Sequence, residues 1–239
     1  VVFVRQQSGQ LEWRATTDAT DTLHERLRFD DDLTDIFATF PDDAPLCAAR
    51  RAFPGLRVIS DPFFPCLVSF ICSARTTVDR IHDLVTRLAR EFGDTVTVDG
   101  STYYAFPRPE QLETASETDL RQIGLGFRAP YVVETTRMVS SGELIADDFQ
   151  DVSYSDAHGK LQTFLGVGPK IADCVSLFAL GHLEAVPIDT WTRRLIERYF
   201  PDAVGDSYET TAAAFRDRFG KYAGYAQTYL YHYERSGAA

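Results

Sequence analysis

Leu165-Gly166-Val167-Gly168-Pro169-Lys170 runs directly into Ile171-Ala172-Asp173-Cys174. Two glycines one residue apart, closed by a proline, mark a tight turn. Ser155 to Thr163 before it reads as a helix. Lys170 to Leu180 after it reads as a second, with Ile171, Cys174, Val175 and Phe178 on its inner face. The pattern is a helix-hairpin-helix. Glycines at Gly166 and Gly168 let backbone N–H groups of the turn, Val167 included, come close to a phosphate, and Pro169 suits the first turn of a helix whose positive end faces the same anion. A tight αα-corner using its glycines only for packing satisfies the same residues, so the turn alone leaves both readings open.

Downstream, Leu183-Glu184-Ala185-Val186-Pro187-Ile188-Asp189-Thr190-Trp191 leads into another helix with Asp189 near its N-cap. Upstream, Thr77 to Phe92 is an amphipathic helix stopped by Gly93, and Asp61-Pro62 opens a helix apolar on several sides. Between Phe92 and Glu110 the sequence predicts a short loop with Pro107 and Pro109, followed by helices Glu110 to Ala115, Glu117 to Ile123 and Ala129 to Ser140. Leu23, Leu27, Leu33, Ile36, Phe37 and Phe40 predict one helix from Thr22 to Pro41. The first residues alternate as two short strands, Val1 to Val4 and Gln10 to Trp13, around a Gln-Gln-Ser-Gly turn. Strand patterning at the very start of the chain suggests a sheet whose upstream strands are missing. The expected organisation is an incomplete β-containing lobe with a first helix over 1–60, and a helical domain over 61–239 with the helix-hairpin-helix at 155–200.

The chain has 239 residues with 24 Lys and Arg against 35 Asp and Glu, a net charge of −11. So acidic a protein is ordinarily a poor nucleic-acid binder. Yet 21 of the 24 cations are arginine, a pattern that reads as adaptation to high salt. In molar salt the Debye length is only about 3 Å, so local contacts decide binding. From Lys160 to Arg198 five cations face four acids, against three and nine in 111–159, which displaces the acidity from the hairpin segment. No apolar run spans a bilayer, and no partner membrane is expected. Cys47, Cys66, Cys72 and Cys174 lack two-residue ligand spacing, which excludes a zinc site or a four-cysteine iron–sulfur cluster and suggests a reducing cytoplasm.

Five stretches together, Ser69 to Ser73 (SFICS), Gly124 to Val132 (GLGFRAPYV), Gly166 to Cys174 (GVGPKIADC), Ala185 to Thr190 (AVPIDT) and Tyr222 to Leu230 (YAGYAQTYL), resemble the helix-hairpin-helix DNA glycosylases, particularly the 8-oxoguanine DNA glycosylase/AP lyase branch, in order and spacing from about residue 60 to 235. The resemblance implies a mainly α fold of two helical lobes with a small, truncated N-terminal antiparallel β portion. It implies base-excision repair of duplex DNA containing a damaged base, by a nucleoid-associated monomer that needs no redox cofactor or catalytic metal. Lys170 matches the nucleophile. A Schiff-base lysine attacks as the free amine, and the positive end of a helix in a partly buried pocket disfavours an ammonium ion; Lys160 and Lys221 lack that setting. Asp189 matches the carboxylate that stabilises the cationic sugar as the base departs, with a plain helix N-cap as the alternative. Cys174, Gln227 and Tyr231 match the pocket for the flipped base, although Cys174 also fits a core and Tyr231 an aromatic stripe. Phe127 matches the wedge, Arg128 and Arg80 the arginines that read the unpaired base, and Trp191 a phosphate contact. Carbonyls of Gln162, Phe164 and Val167 match the ligands of a monovalent cation, K+ or Na+.

Four departures stand out. Arg75-Thr76-Thr77 replaces an Asn triplet whose first member contacts the estranged cytosine, and arginine pairs better with guanine. Phe127 replaces a Tyr and Trp191 a His. The N-terminal glycine that reads the N7–H of 8-oxoguanine has no evident counterpart; Gly9, in Ser8-Gly9-Gln10, reads as a hairpin turn.

Overall fold

The computed structural model describes residues 1–7 and 9–237; Ser8 lies outside the described residues. Alternating residues at the start pair as β1 (Val2–Gln7) and β2 (Gln10–Ala15), antiparallel with Val2 opposite Ala15 and Gln7 opposite Gln10. Gly9, at φ 79°, turns the chain between them. A second hairpin replaces the expected loop before Pro107. β3 (Thr95–Val98) and β4 (Ser101–Tyr104) pair around Asp99-Gly100, both left-handed at φ 51° and 77°. Asp-Gly between Val, Thr and Tyr residues is a strong hairpin signal that apolar periodicity alone passes over. The two hairpins dock through the Phe3 and Tyr103 rings, edge to face at 5.6 Å, and through Arg14 donating to Asp99 at 2.9 Å.

The single helix predicted from Thr22 to Pro41 is two, α1 (Thr20–Arg26) and α2 (Leu33–Ala38). Asp32 caps α2, its carboxylate accepting from the N–H groups of Thr34 and Asp35. Arg28 is left-handed at φ 48°, and the Arg57 guanidinium donates to the carbonyls of Arg28 and Asp31. A contact from 26 residues downstream therefore breaks a continuous apolar period. α3 (Ala44–Ala52), not anticipated, follows.

The remaining helices are α4 (Phe63–Cys72), α5 (Val78–Phe92), α6 (Pro109–Leu112), α7 (Glu117–Gln122), α8 (Ala129–Ser140), α9 (Tyr154–Leu161), α10 (Pro169–Phe178), α11 (Thr190–Tyr199), α12 (Tyr208–Phe219) and α13 (Ala223–Arg235). They enclose two cores. Leu67, Ile71, Leu84, Leu88, Leu120, Val132, Leu161 and Val175 fill the first, made by α4, α5 and α7–α10. Ile36, Phe37, Leu46, Leu177, Ile196, Phe215, Tyr225 and Tyr229 fill the second, which joins α2 and α3 to α11–α13. The cores thus divide the chain differently from a boundary at residue 60, because the early helices pack on the last ones. α10 is shared, with Val175 in one core and Leu177 in the other. Burying such aliphatic side chains stabilises by roughly 1.5–3 kcal/mol each, which anchors this helix from both sides. None of the described helices is long and apolar enough to cross a membrane.

Candidate active site

At the mouth between the two cores lies the hairpin that opens α10. Gly166 takes φ 82°, and a Cβ there would stand 2.4 Å from the Tyr131 ring, so the fold itself requires glycine. Gly168 is different. It is extended, at φ −99° and ψ −177°, and a Cβ would meet nothing within 4 Å. Packing explains Gly166 but not Gly168, which keeps the outer side of the turn clear. Gly168 is the N-cap of α10 and supplies no capping side chain. The N–H groups of Lys170 and Ile171 have no backbone partner among the described residues. Unspent donors at a clear helix N-terminus make a ready anion site.

Lys170 is the second residue of α10 and half-buried. Its Nζ lies 3.4 Å from Ser73 Oγ and 5.2 Å above the centre of the Phe70 ring. Ser73 spends its proton on the Phe70 carbonyl at 2.6 Å, so its lone pairs face the lysine. One turn on, Cys174 is 3% exposed. Burial pushes its thiol up to about 11; the Lys170 charge pulls it down and the Asp189 carboxylate pushes it up.

Asp189 is the N-cap of α11, its Oδ1 accepting from the Thr192 N–H at 2.7 Å. Its Oδ2 has no hydrogen-bond donor among the described residues. Capping consumes one oxygen and leaves the other, so the structural and catalytic readings of this carboxylate coexist. Thr192 also links onward, because the Gln227 amide Nε2 donates to its hydroxyl at 2.9 Å. Gln227 is 6% exposed. Tyr231, one turn further along α13, shares a cleft with Trp191, Arg194, Leu195, Arg198 and Glu234, and its hydroxyl accepts from Arg235 at 3.0 Å. Trp191 projects from the first turn of α11 with 48% exposure.

The opposite rim is one connected set of contacts. After Ser73 the chain turns through Arg75, exposed and left-handed at φ 53°. Arg128, expected to read an unpaired base, is instead buried, with its guanidinium committed to the carbonyls of Ala74, Arg75 and Leu125. A buried cation needs such acceptors, and here they come from the end of α4. Arg80, expected in the same role, is half-exposed. It binds Asp83 at 2.5 Å and the Gly124 carbonyl at 3.3 Å, supporting the loop that carries Phe127. Phe127 is 46% exposed, lies under the Arg128 guanidinium at 4.4 Å and meets the Tyr131 ring edge-on at 6.3 Å. Tyr131 in turn seats Gly166. Wedge loop, Arg75 turn and hairpin are braced together.

The carbonyls of Gln162 and Val167 accept no hydrogen bond from the described residues, and that of Phe164 accepts one, from the Val167 N–H at 3.1 Å. All three retain lone pairs suited to a hard cation. Phe70, Ser73, Tyr131 and Thr192 were not predicted as site residues. The SFICS and GLGFRAPYV stretches contain the first three, but their spacing gives no hint of which side chains meet the hairpin.

Comparison with known proteins follows the same lines. The family profile described as HhH-GPD superfamily base excision DNA repair protein matches residues 68–221. A probable N-glycosylase/DNA lyase of Methanothermobacter thermautotrophicus is 34% identical over 99% of this chain and 83% of that protein. The N-glycosylase/DNA lyase of Saccharomyces cerevisiae is 32% identical over 83% of this chain, which spans 58% of the yeast protein. Among solved structures, the Clostridium acetobutylicum 8-oxoguanine glycosylase/lyase, in complex with duplex DNA containing cytosine opposite 8-oxoguanine, superposes with a TM-score of 0.92 at 27% identity, covering 100% of this chain and 82% of that one. The Archaeoglobus fulgidus 3-methyladenine DNA glycosylase shares the fold, with a TM-score of 0.80 at 22% identity, over 98% of this chain and 82% of that one.

Proposed function

The chain belongs to the HhH-GPD superfamily of base excision DNA repair proteins, and we propose that it is a bifunctional DNA glycosylase/AP lyase removing 8-oxoguanine from duplex DNA. The observation that carries this reading is that Lys170 lies in the first turn of α10, its Nζ 3.4 Å from Ser73 Oγ, while Asp189 caps α11 through Oδ1 and keeps Oδ2 without a donor among the described residues. We read them as an amine nucleophile and a carboxylate that work on the same nucleotide. The names of the archaeal and yeast lyases and the DNA held by the clostridial enzyme support the same class.

The steps follow from these groups. The lesion leaves the stack into the cleft, against Cys174 and the Tyr231 ring, with Gln227 facing its Watson–Crick edge. Phe127 fills the gap, and the N–H groups of Gly166 and Gly168, with Trp191, hold the backbone, the Val167 N–H being spent on the Phe164 carbonyl. Lys170 Nζ then attacks C1′ as the bond to the base breaks; the base leaves with the bonding pair and takes up a proton. Asp189 Oδ2 faces the positive charge that develops on the sugar. Ring opening gives the Schiff base, and loss of a C2′ proton expels the 3′ phosphate. The carbonyls of Gln162, Phe164 and Val167, each with a lone pair to spare, would hold K+ or Na+ beneath the hairpin and add positive charge toward the phosphate. The enzyme acts as a monomer on chromosomal DNA, and its acidic surface suits work at high salt.

Arg75 favours a second reading, an altered opposite-base or lesion preference or mainly AP lyase activity, because arginine does not match the donor edge of cytosine. Borohydride trapping decides between them, on duplexes carrying 8-oxoguanine opposite cytosine, an abasic site or no damage, in low and molar KCl. An adduct on the 8-oxoguanine duplex establishes lesion and chemistry. One on abasic DNA alone keeps the lyase and overturns the lesion, and none on any duplex reduces the protein to a DNA-binding module.

A further inference from the structure

Asp173 stands between Lys170 and Cys174 on α10 and has no role in the steps above. It is fully buried. Tyr154 of α9 donates to its Oδ1 and Tyr208 of α12 to its Oδ2, each at 2.5 Å. His158 Nε2 stands 3.7 Å from Oδ1, and Arg216 donates to the Tyr154 hydroxyl at 3.1 Å. Burial holds the carboxyl above its ordinary value, while the two hydroxyls, His158 and Arg216 favour the ionised form.

The direction of these bonds is fixed. A carboxylate only accepts, so the Tyr208 hydroxyl must give its proton to Asp173, and its oxygen is then free to accept the Ile188 N–H at 3.3 Å. Ile188 is the residue before Asp189. A chain of two hydrogen bonds therefore ties α10, three residues past the nucleophile, to Ile188, the residue before the carboxylate. The lysine and the aspartate are otherwise separated by the whole 171–188 connection.

We propose that Tyr208 and Asp173 are positioning residues, which hold Asp189 at its working distance from Lys170. The inference rests on the Schiff-base reading above and adds a function for a network that touches neither substrate nor reacting atoms. It separates the two activities, because base release needs both groups in register, whereas trapping at a preformed abasic site needs Lys170 alone.

The test is Tyr208→Phe, which removes one hydroxyl and keeps the ring. Displacing a catalytic group by less than 1 Å costs on the order of tenfold or more. Single-turnover release of 8-oxoguanine is therefore expected to slow about tenfold, with trapping on abasic duplex, affinity for a tetrahydrofuran-site duplex and Tm near the parent's. Asp173→Asn, whose amide turns a donor toward Tyr208, is expected to give the same split and serves if the first variant does not fold. Base release at the parental rate, or release, trapping and Tm declining together, overturns the proposal. Failure of the parent itself to form any adduct would instead sink the proposed function.

Discussion

Gln227 donates from Nε2 to the Thr192 hydroxyl at 2.9 Å, and the same Thr192 donates its N–H to the capping carboxylate of Asp189 at 2.7 Å. One threonine thus joins the side chain expected to face the base to the carboxylate expected to face the sugar. With Nε2 held, Oε1 is the atom left to accept from a base, and a purine offering N–H donors on its Watson–Crick edge satisfies it. Thr192→Val keeps the shape and the backbone cap but removes the hydroxyl. A neutral buried hydrogen bond is worth about 1 kcal/mol, so kcat/KM on the lesion should fall roughly fivefold, with trapping on abasic DNA unchanged. Equal lesion kinetics in both proteins would show that Thr192 does not orient the amide.

Lys170→Gln should abolish borohydride trapping while DNA affinity stays within about threefold, because the anion site is built from backbone N–H groups. Undiminished trapping would remove Lys170 from the nucleophile's role.

Asp189→Asn should slow base excision by about two orders of magnitude or more, and leave Tm within a few degrees because Asn is as good an N-cap as Asp. A large fall in Tm with excision intact would leave only the capping role.

The two glycines of the hairpin should respond oppositely. Gly166→Ala places a Cβ 2.4 Å from the Tyr131 ring at φ 82° and should destabilise by roughly 1–3 kcal/mol. Gly168→Ala has room and an ordinary φ, so its Tm should match the parent's while affinity for duplex DNA drops severalfold. Unaltered binding by Gly168→Ala would point to a hairpin that does not touch phosphate.

Arg75 occupies a left-handed position, φ 53°, that Asn adopts more readily than Arg. Arg75→Asn should raise stability by about 0.5–1 kcal/mol and shift opposite-base preference toward cytosine. Competition between duplexes with cytosine or guanine opposite the lesion measures the shift, and an unmoved ratio would place Arg75 outside recognition.

Asp173 predicts a pH dependence of stability. Burial raises its carboxyl above the ordinary range against Tyr154, Tyr208, His158 and Arg216, so the native state binds that proton more tightly than the unfolded chain. Its contribution is fully present below the unfolded value and is lost as pH rises through the native one. Asp173→Asn lacks this loss. Urea unfolding between about pH 4 and 5.5, below the usual histidine range, should show the parent's stability falling relative to the variant's as pH rises, and parallel profiles would refute it.

Local chemistry wrote much of this protein legibly into its sequence. The turn at Gly166 to Pro169, the cap at Asp189 and the amphipathic face of α5 depend on residues at most a few positions apart, so periodicity and capping rules find them. The resemblance of GVGPKIADC and AVPIDT to a glycosylase named Lys170 and Asp189 by type and spacing. The sequence could not say which guanidinium or hydroxyl would be spent. Arg128 is buried because the carbonyls at the end of α4 lie beside it, Arg57 breaks the first helix from 26 residues away, and Asp173 is tied to Ile188 through a tyrosine on α12. Those roles belong to the tertiary structure, because a buried polar group must find its partners wherever the packed chain brings them, and contacts across tens of residues leave no period in the sequence.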